Sequence, residues 1–291
     1  FNFLDFCVVS GWYRTGLAVG QNVTKAHVKL LGPEAPETLT TKNNLALLLK
    51  DKGEIDAAEA LYREVLKVRT RVLGPKHSRT LTTKNNLALL LEDKGEIDAA
   101  EALYREVLKV RTRVLGPKHS RTLTTKNNLA LLLEDKGEID AAEALYREVL
   151  EVEIRVLGPE DPATLTTKQN FAVFLRNKTN HSEKAIPLLE EILVVRRKQN
   201  NQEDLSSILT ALGTSLGKCK IYDNAISCIL ESIDIRRTFT NTTSLISSLN
   251  RLADIYDQTG DKNKAIDGRI EFEDDHFKEL GVLKPQRKKL F

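Results

Sequence analysis

The side chains in this sequence best suited to recognising another molecule are amides. Asn43-Asn44, Asn85-Asn86 and Asn127-Asn128 recur at intervals of 42 residues, and Gln169-Asn170 follows at the same offset. A primary amide donates and accepts hydrogen bonds at once, which suits an extended peptide backbone that offers both groups. Leu47, Leu89, Leu131 and Val173 lie three residues beyond the second amide of each pair. They would add an apolar strip for peptide side chains. The same amides can instead serve the protein itself by bonding to a neighbouring element.

Residues that make or break covalent bonds are poorly represented. The chain contains no Gly-x-x-x-x-Gly-Lys-Ser/Thr loop, no Gly-x-Gly-x-x-Gly and no His-Glu-x-x-His. His77 and His119 recur only because the unit around them recurs, and their place between helical stretches predicts solvated linkers and not metal ligands. Cys7, Cys219 and Cys228 are odd in number and lack metal-ligand spacing. They predict a reducing compartment, read here as the cytoplasm. The expectation is a non-enzymatic chain with no catalytic residue, no cofactor and no metal site.

The elements that must position the amides follow from the period. Residues 73–114 and 115–156 differ only at Lys109/Glu151, Arg111/Glu153 and Thr112/Ile154, and 31–72 is a close third copy. A fixed period of this size means stacked units. Within 73–114, Leu81, Leu87, Ala88 and Leu91 fall on one face at 100° per residue, and Thr82, Asn85, Asn86, Leu89 and Asp93 fall opposite. Gly95 ends this first helix as a left-handed cap. Glu96 and Asp98 then suit the start of a second, where Ala100, Leu103, Tyr104, Val107 and Leu108 form the buried stripe. Each unit is helix, turn, helix, loop, and it buries its apolar faces only against neighbours.

The array extends beyond the near-identical copies. Units are expected near 31–72, 73–114, 115–156, 157–200, 205–241 and 245–280. Residues 1–30 read as a degenerate leading repeat or the remnant of an upstream region, and 281–291 as a basic tail carrying Arg287-Lys288-Lys289. Arg69, Arg111, Arg196 and Arg236 occupy one register near the end of the second helices, where an exposed cation complements the negative dipole end. Glu153 interrupts that series.

Composition agrees and narrows the function. With 41% apolar, 29% charged and 5% aromatic residues in 291, the chain has the Ala/Leu/Glu/Lys bias of packed helices and should be all-α. A net charge of +3 with no sustained basic stripe argues against a nucleic-acid partner. The apolar opening, residues 1–10, lacks a basic flank and is too short to span a bilayer, so no membrane partner is expected.

The spacing Leu87-Ala88, Leu91, Gly95, Ile97, Ala100, Tyr104, Val107 resembles the tetratricopeptide repeat pattern. The 42-residue form, with Thr-Lys-Asn-Asn-Leu-Ala and a Leu-Gly-Pro linker, is similar to the kinesin light chain type. The resemblance implies a right-handed superhelical solenoid of stacked helix-turn-helix units. Its first helices would line a concave groove into which Asn43, Asn44, Asn85, Asn86, Asn127, Asn128 and Asn170 point, beside Leu47, Leu89 and Leu131. A scaffold or adaptor binding protein segments is the function implied. The alternative is the sensor or autoinhibitory region of a larger nucleotide-binding signalling protein, with a further domain upstream in the same polypeptide.

If neighbour contacts dominate, excising residues 73–114, one whole period, leaves a shorter protein that is folded and helical. Excising 73–93 strands a second helix without its partner and lowers the melting midpoint sharply. Circular dichroism melts of the two deletions check this, and equal losses would refute the period as the structural unit.

Overall fold

Each 42-residue unit contains two stretches able to form helices of four to five turns, separated by glycine. The computed structural model describes residues 13–178, 181–199, 201–238 and 242–260, and among these it is built from twelve α-helices with no strand. They fall into two compact units, Phe1–Val152 and Glu153–Phe291. The first unit holds α1 (Tyr13–Leu31), α2 (Pro36–Asp51), α3 (Ile55–Leu73), α4 (Ser78–Asp93), α5 (Ile97–Leu115), α6 (Ser120–Lys136) and most of α7 (Ile139–Val156). The second holds α8 (Pro162–Lys178), α9 (Ser182–Gln199), α10 (Gln202–Lys218), α11 (Tyr222–Arg237) and α12 (Thr242–Thr259). From α1 to α6, and again from α8 to α12, each helix packs against the next in sequence. Residues 1–12, with Cys7, the stretch 261–280 and the basic tail lie outside the described residues.

Local chemistry sets the helix ends. Gly95 takes φ +78°, its N–H reaching Glu92 O, and the Glu96 N–H reaches back to Leu91 O at 2.8 Å. These bonds satisfy the last carbonyls of α4 and turn the chain by a geometry that costs an L side chain energy. At the other end His77 caps α4, its Nδ1 accepting the Arg79 N–H at 3.1 Å, and His119 does the same for Arg121 on α6. The linker histidines are thus helix caps, a role that the expectation of plain solvation passed over.

First and second helices are buried differently. On α5, Ala100, Tyr104 and Val107 are fully buried, as the stripe predicts, while Leu103 and Leu108 flank it half-buried. Helix α4 packs against both α3 and α5. Burial therefore reaches beyond Leu81, Leu87, Ala88 and Leu91 to Leu90 and to the polar Thr80, Thr83 and Lys84. The buried lysine is compensated within its own repeat: Lys84 Nζ meets Glu106 at 2.5 Å, with equivalents at Lys42–Glu64, Lys126–Glu148 and Lys168–Glu191. Its stem fills apolar space while the ammonium group reaches a half-exposed carboxylate.

Consecutive repeats are joined by arginines, and here the structure corrects the expectation of exposed, dipole-complementing side chains. Arg69 and Arg111 are 3% and 4% exposed. Arg111, on α5, donates from Nη1 to Arg121 O at 2.9 Å and Thr125 Oγ1 at 2.7 Å, both on α6, while Nη2 reaches Thr82 on α4 at 3.5 Å. Arg69 repeats the pattern with Arg79 O, Thr83 and Thr40. Burial, aided by Arg121, draws the Arg111 guanidinium down to about 10, so it stays charged at neutral pH. In the second unit Arg236 makes the same kind of clasp with Ser206, Ser248 and Ser244 O. Arg196 departs from it, half-buried and 3.4 Å from Asp204. At the helix–turn edge a second join is made by exposed lysines, Lys94 to Glu59 and Lys136 to Glu101, each at 2.5 Å.

Tyr104 closes its repeat from inside by donating its hydroxyl to Glu92 at 3.1 Å, and Tyr146 does so to Glu134 at 3.4 Å, whereas in the preceding repeat Lys50 takes the place of that carboxylate opposite Tyr62. Burial pushes the Glu92 carboxyl up to about 7; Asp135 and Asp93 add to this, while the Tyr104 hydroxyl and Lys50 oppose it.

Two outcomes follow. Arg111→Met keeps the stem but removes the bonds to α4 and α6, and should cost roughly 1.5–3 kcal/mol, the scale of hydrogen bonds from a charged group. The exposed Arg105→Ala should cost no more than about 0.5 kcal/mol. Urea midpoints separate the two, and equal shifts would mean that the clasp is energetically idle. For Glu92, a folded-state value above the unfolded 4.5 means that its protonated form is favoured by folding. Its stabilising contribution is present below pH 4.5 and is lost as pH rises through about 7. Glu92→Gln should therefore raise the melting temperature relative to the parent more at pH 8 than at pH 5. The reverse order would disprove the assignment.

Candidate peptide-binding face

One stripe of each first helix in the unit Phe1–Val152 is left uncovered by the stack. On α4 it runs Arg79, Thr82, Asn86, Leu89, Asp93, at the helical spacing of three and four residues. On α2 the corresponding residues are Glu37, Thr40, Asn44, Leu47 and Asp51, and on α6 Arg121, Thr124, Asn128, Leu131 and Asp135. Asn44, Asn86 and Asn128 are half-buried, as are Leu47, Leu89 and Leu131. In the second unit α8 places Asn170 and Val173 half-buried in the same register.

The first amide of each pair sits differently. Asn43 and Asn85 are 6% and 8% exposed, with Oδ1 3.2 Å from the Thr83 hydroxyl and 3.3 Å from the Thr125 hydroxyl of the following repeat. Those hydroxyls are the ones that Arg69 and Arg111 reach, so Asn43 and Asn85 belong to the joins between repeats. Asn127, in the same register, is half-buried. The accessible amides of the candidate face on the first unit are Asn44, Asn86 and Asn128, the Asn127 Oδ1 being turned inward and buried.

The stripes lie side by side. Direct bonds between first helices, Thr83 to Asn43 on α2 and Thr125 to Asn85 on α4, bring like residues of successive repeats into rows. Crossing the rows along a helix, the chemistry changes from cationic (Arg79, Arg121) through polar (Thr, Asn) to apolar (Leu) and then acidic (Asp51, Asp93, Asp135). Arg121 bonds to Ser78 of the preceding first helix. Beside the Asp row, Glu92 and Glu134 occupy the position that Lys50 takes on α2, and Lys50 pairs with Asp93 at 2.7 Å. A depression of about 280 Å³ lined by His27, Glu37, Thr40, Thr41 and Arg79 opens at the cationic end. Sequence reasoning placed Thr82 and Asp93 opposite the core but missed Arg79, whose signal is its spacing of three from Thr82.

Groups suited to covalent chemistry are not gathered on this face. Cys219 and Cys228, in the second unit, are half-buried, with thiols raised chiefly by burial and therefore poor nucleophiles at neutral pH. Among the described residues no group of three or more His, Cys, Asp and Glu could hold a metal ion, and no helix is long and apolar enough to cross a membrane.

Comparison with known proteins agrees with this geometry. A tetratricopeptide repeat family model matches residues 37–113, 79–153 and 121–198, and a second such model matches 246–267. No curated protein matches the sequence. Among solved structures, the chain is similar to nearly identical repeats of a kinesin light chain homologue from Podosopora anserina. That likeness has a TM-score of 0.55 at 21% identity, over 68% of this chain and 92% of the other. It is also similar to the apo form of RapI, with a TM-score of 0.70 at 11% identity over 94% and 74% of the two chains. A signal transduction ATPase from Pyrococcus horikoshii with a tetratricopeptide repeat sensor gives 0.60 at 16% identity, over 88% of this chain and 40% of that one. Family models that cover more than half of the sequence, together with the stacked helix pairs, place this chain in the tetratricopeptide repeat family, with units that repeat every 42 residues.

Proposed function

We propose that this chain is a protein-interaction scaffold or adaptor that holds an extended protein segment across its first helices, and that it acts by binding and not by catalysis. The observation that supports this most directly is the alignment of Asn44, Asn86 and Asn128 beside Leu47, Leu89 and Leu131 on one uncovered face. Half-buried amides next to half-buried leucines offer a peptide both backbone bonds and apolar contacts at low ordering cost, because the stack already holds them in place. Asn170 and Val173 offer the same pairing on the second unit. The partner is a protein or peptide, and a reducing, cytoplasmic setting suits the unpaired Cys219 and Cys228.

A second reading is supported by the likeness to the Pyrococcus horikoshii protein, whose printed description makes its repeats a sensor. In that reading the array is the sensing or autoinhibitory part of a larger nucleotide-binding signalling protein. The full-length reading frame distinguishes the two: a phosphate-binding loop upstream favours the sensor, and heptad repeats favour the adaptor.

The test is a partner captured from cell extract and then titrated. Combining Asn44→Ala, Asn86→Ala and Asn128→Ala removes hydrogen bonds worth roughly 1 kcal/mol each, so affinity should fall on the order of 100-fold with helicity unchanged. Arg105→Ala with Arg147→Ala, on the exposed faces of second helices, should leave affinity within about twofold. Loss of binding in the arginine pair and not in the asparagine triple would move the working surface to the second helices.

A further inference from the structure

The rows on the first helices constrain the conformation and the sequence of what binds there. This inference rests on the reading of that face as a peptide site and goes on to name the ligand. Helices α2, α4 and α6 touch directly, since Thr83 bonds to Asn43, Thr125 to Asn85 and Lys50 to Asp93. Packed helices of this kind lie roughly 8–10 Å apart. Equivalent residues of successive repeats therefore recur about every 9 Å along a line that crosses the helices.

A ligand that uses each repeat alike must bring the same side chain back to the same face at that interval. A β-strand, at about 3.3 Å per residue, covers the distance in three residues, but side chains three apart point to opposite faces. An α-helix needs about six residues, and six steps of roughly 100° leave the side chain more than a quarter turn off. A polyproline II segment has three residues per turn and rises about 3.1 Å for each, so every third residue returns to the same face after about 9 Å. Only this last conformation is in step with the repeats.

Charge then orients the segment. The Asp row lies one helical turn, about 6 Å, beyond the Leu row. There Asp51, Asp93 and Asp135 stand exposed, with Lys50 paired to Asp93 while Lys52, Lys94 and Lys136 are drawn to Glu54, Glu59 and Glu101. The Glu92 carboxyl nearby is raised chiefly by burial and further by Asp135 and Asp93. Added positive charge at this edge is favourable. The cations Arg79 and Arg121 lie two turns away from the amides on the other side, about 10 Å. A segment seated on the Asn and Leu rows therefore has an acidic edge within reach of a lysine or arginine side chain.

We propose that the face formed by α2, α4 and α6 binds a polyproline II segment that advances about three residues per repeat, with an apolar residue at every third position on Leu47, Leu89 and Leu131 and basic residues, in the same three-residue period, facing Asp51, Asp93 and Asp135. The period comes from the spacing of the first helices and so holds for a ligand that uses two or more repeats alike.

The experiment is selection of a random 12-residue phage-displayed library on the full chain. Counter-selection uses the variant Leu47→Ser, Leu89→Ser, Leu131→Ser, verified as helical by circular dichroism, so that only clones dependent on the face survive. The expected result is a periodicity of three in apolar positions among survivors, with Lys and Arg in excess over Asp and Glu. A synthetic peptide from the most enriched clone should lose at least tenfold in affinity for Asp51→Asn, Asp93→Asn, Asp135→Asn. Survivors with a period of two, with helical spacing of three and four, or with acidic residues in excess would overturn this proposal while leaving the peptide-binding reading intact. The same holds if the triple Asp→Asn variant binds the peptide as tightly as the parent. A selection that yields no clone dependent on the face would overturn both.

Discussion

The arrangement of the first unit depends on a buried guanidinium. A tetratricopeptide unit can fold its two helices together through apolar contacts alone, but the angle at which the next unit docks needs a directional bond. Arg69 and Arg111 supply it by holding, from the end of a second helix, the first helices on either side. A planar fork reaches a carbonyl and a hydroxyl on one helix from Nη1 and a hydroxyl on the other from Nη2, whereas the donors of a lysine all radiate from a single nitrogen. The bonds go to neutral acceptors, so no carboxylate offsets the lowering of the Arg111 guanidinium by burial, and nearly full burial means that little water competes for them.

From this clasp the uncovered face inherits its order. Because Thr83 and Thr125 serve both the arginines and the amides Asn43 and Asn85, the rotation of each first helix about its axis is set by the same network that joins the repeats. The outward stripe is then the remainder, what is left once the apolar residues, the threonines, the lysine and one amide have been drawn inward. Rows of like chemistry are the geometric result of repeating one unit against itself.

Much of this was legible in the sequence. The helix-turn-helix unit, the turn at Gly95 and the buried Ala100 and Tyr104 follow from period and spacing alone, because the fully buried residues of α5 keep to one narrow stripe although the helix packs on both α4 and α6. The first helices were harder to read. Helix α4 is covered by α3 and α5 together, so threonine and lysine lie inside and the apolar pattern no longer separates core from surface. Neighbouring residues on a helix differ by only about 100°, and two adjacent asparagines therefore straddled a boundary that no wheel could draw. Asn85 fell inside it and Asn86 outside. The arginines were misread for a related reason: a cation near a helix end has a common, exposed explanation, and its partners at Thr125 and Thr82 lie too far along the chain to be noticed as a set.

Near-identity of the copies raises a problem of fidelity that the chain has to solve while it folds. A second helix from one copy fits the first helix of another almost as well as its own, so the array could close with a unit skipped, threaded onto the wrong neighbour or borrowed from another molecule. Glu153 is one of the few residues that tells the copies apart. It stands where Arg69 and Arg111 stand, is 5% exposed, and has its carboxyl raised by burial while Thr167 bonds to it. Set by mistake in the place of Arg111, it would turn an acceptor toward the carbonyl of Arg121 and leave Thr125 without its cation. A single reversed charge thus works as an address, making the correct order of otherwise interchangeable parts the one in which every clasp closes.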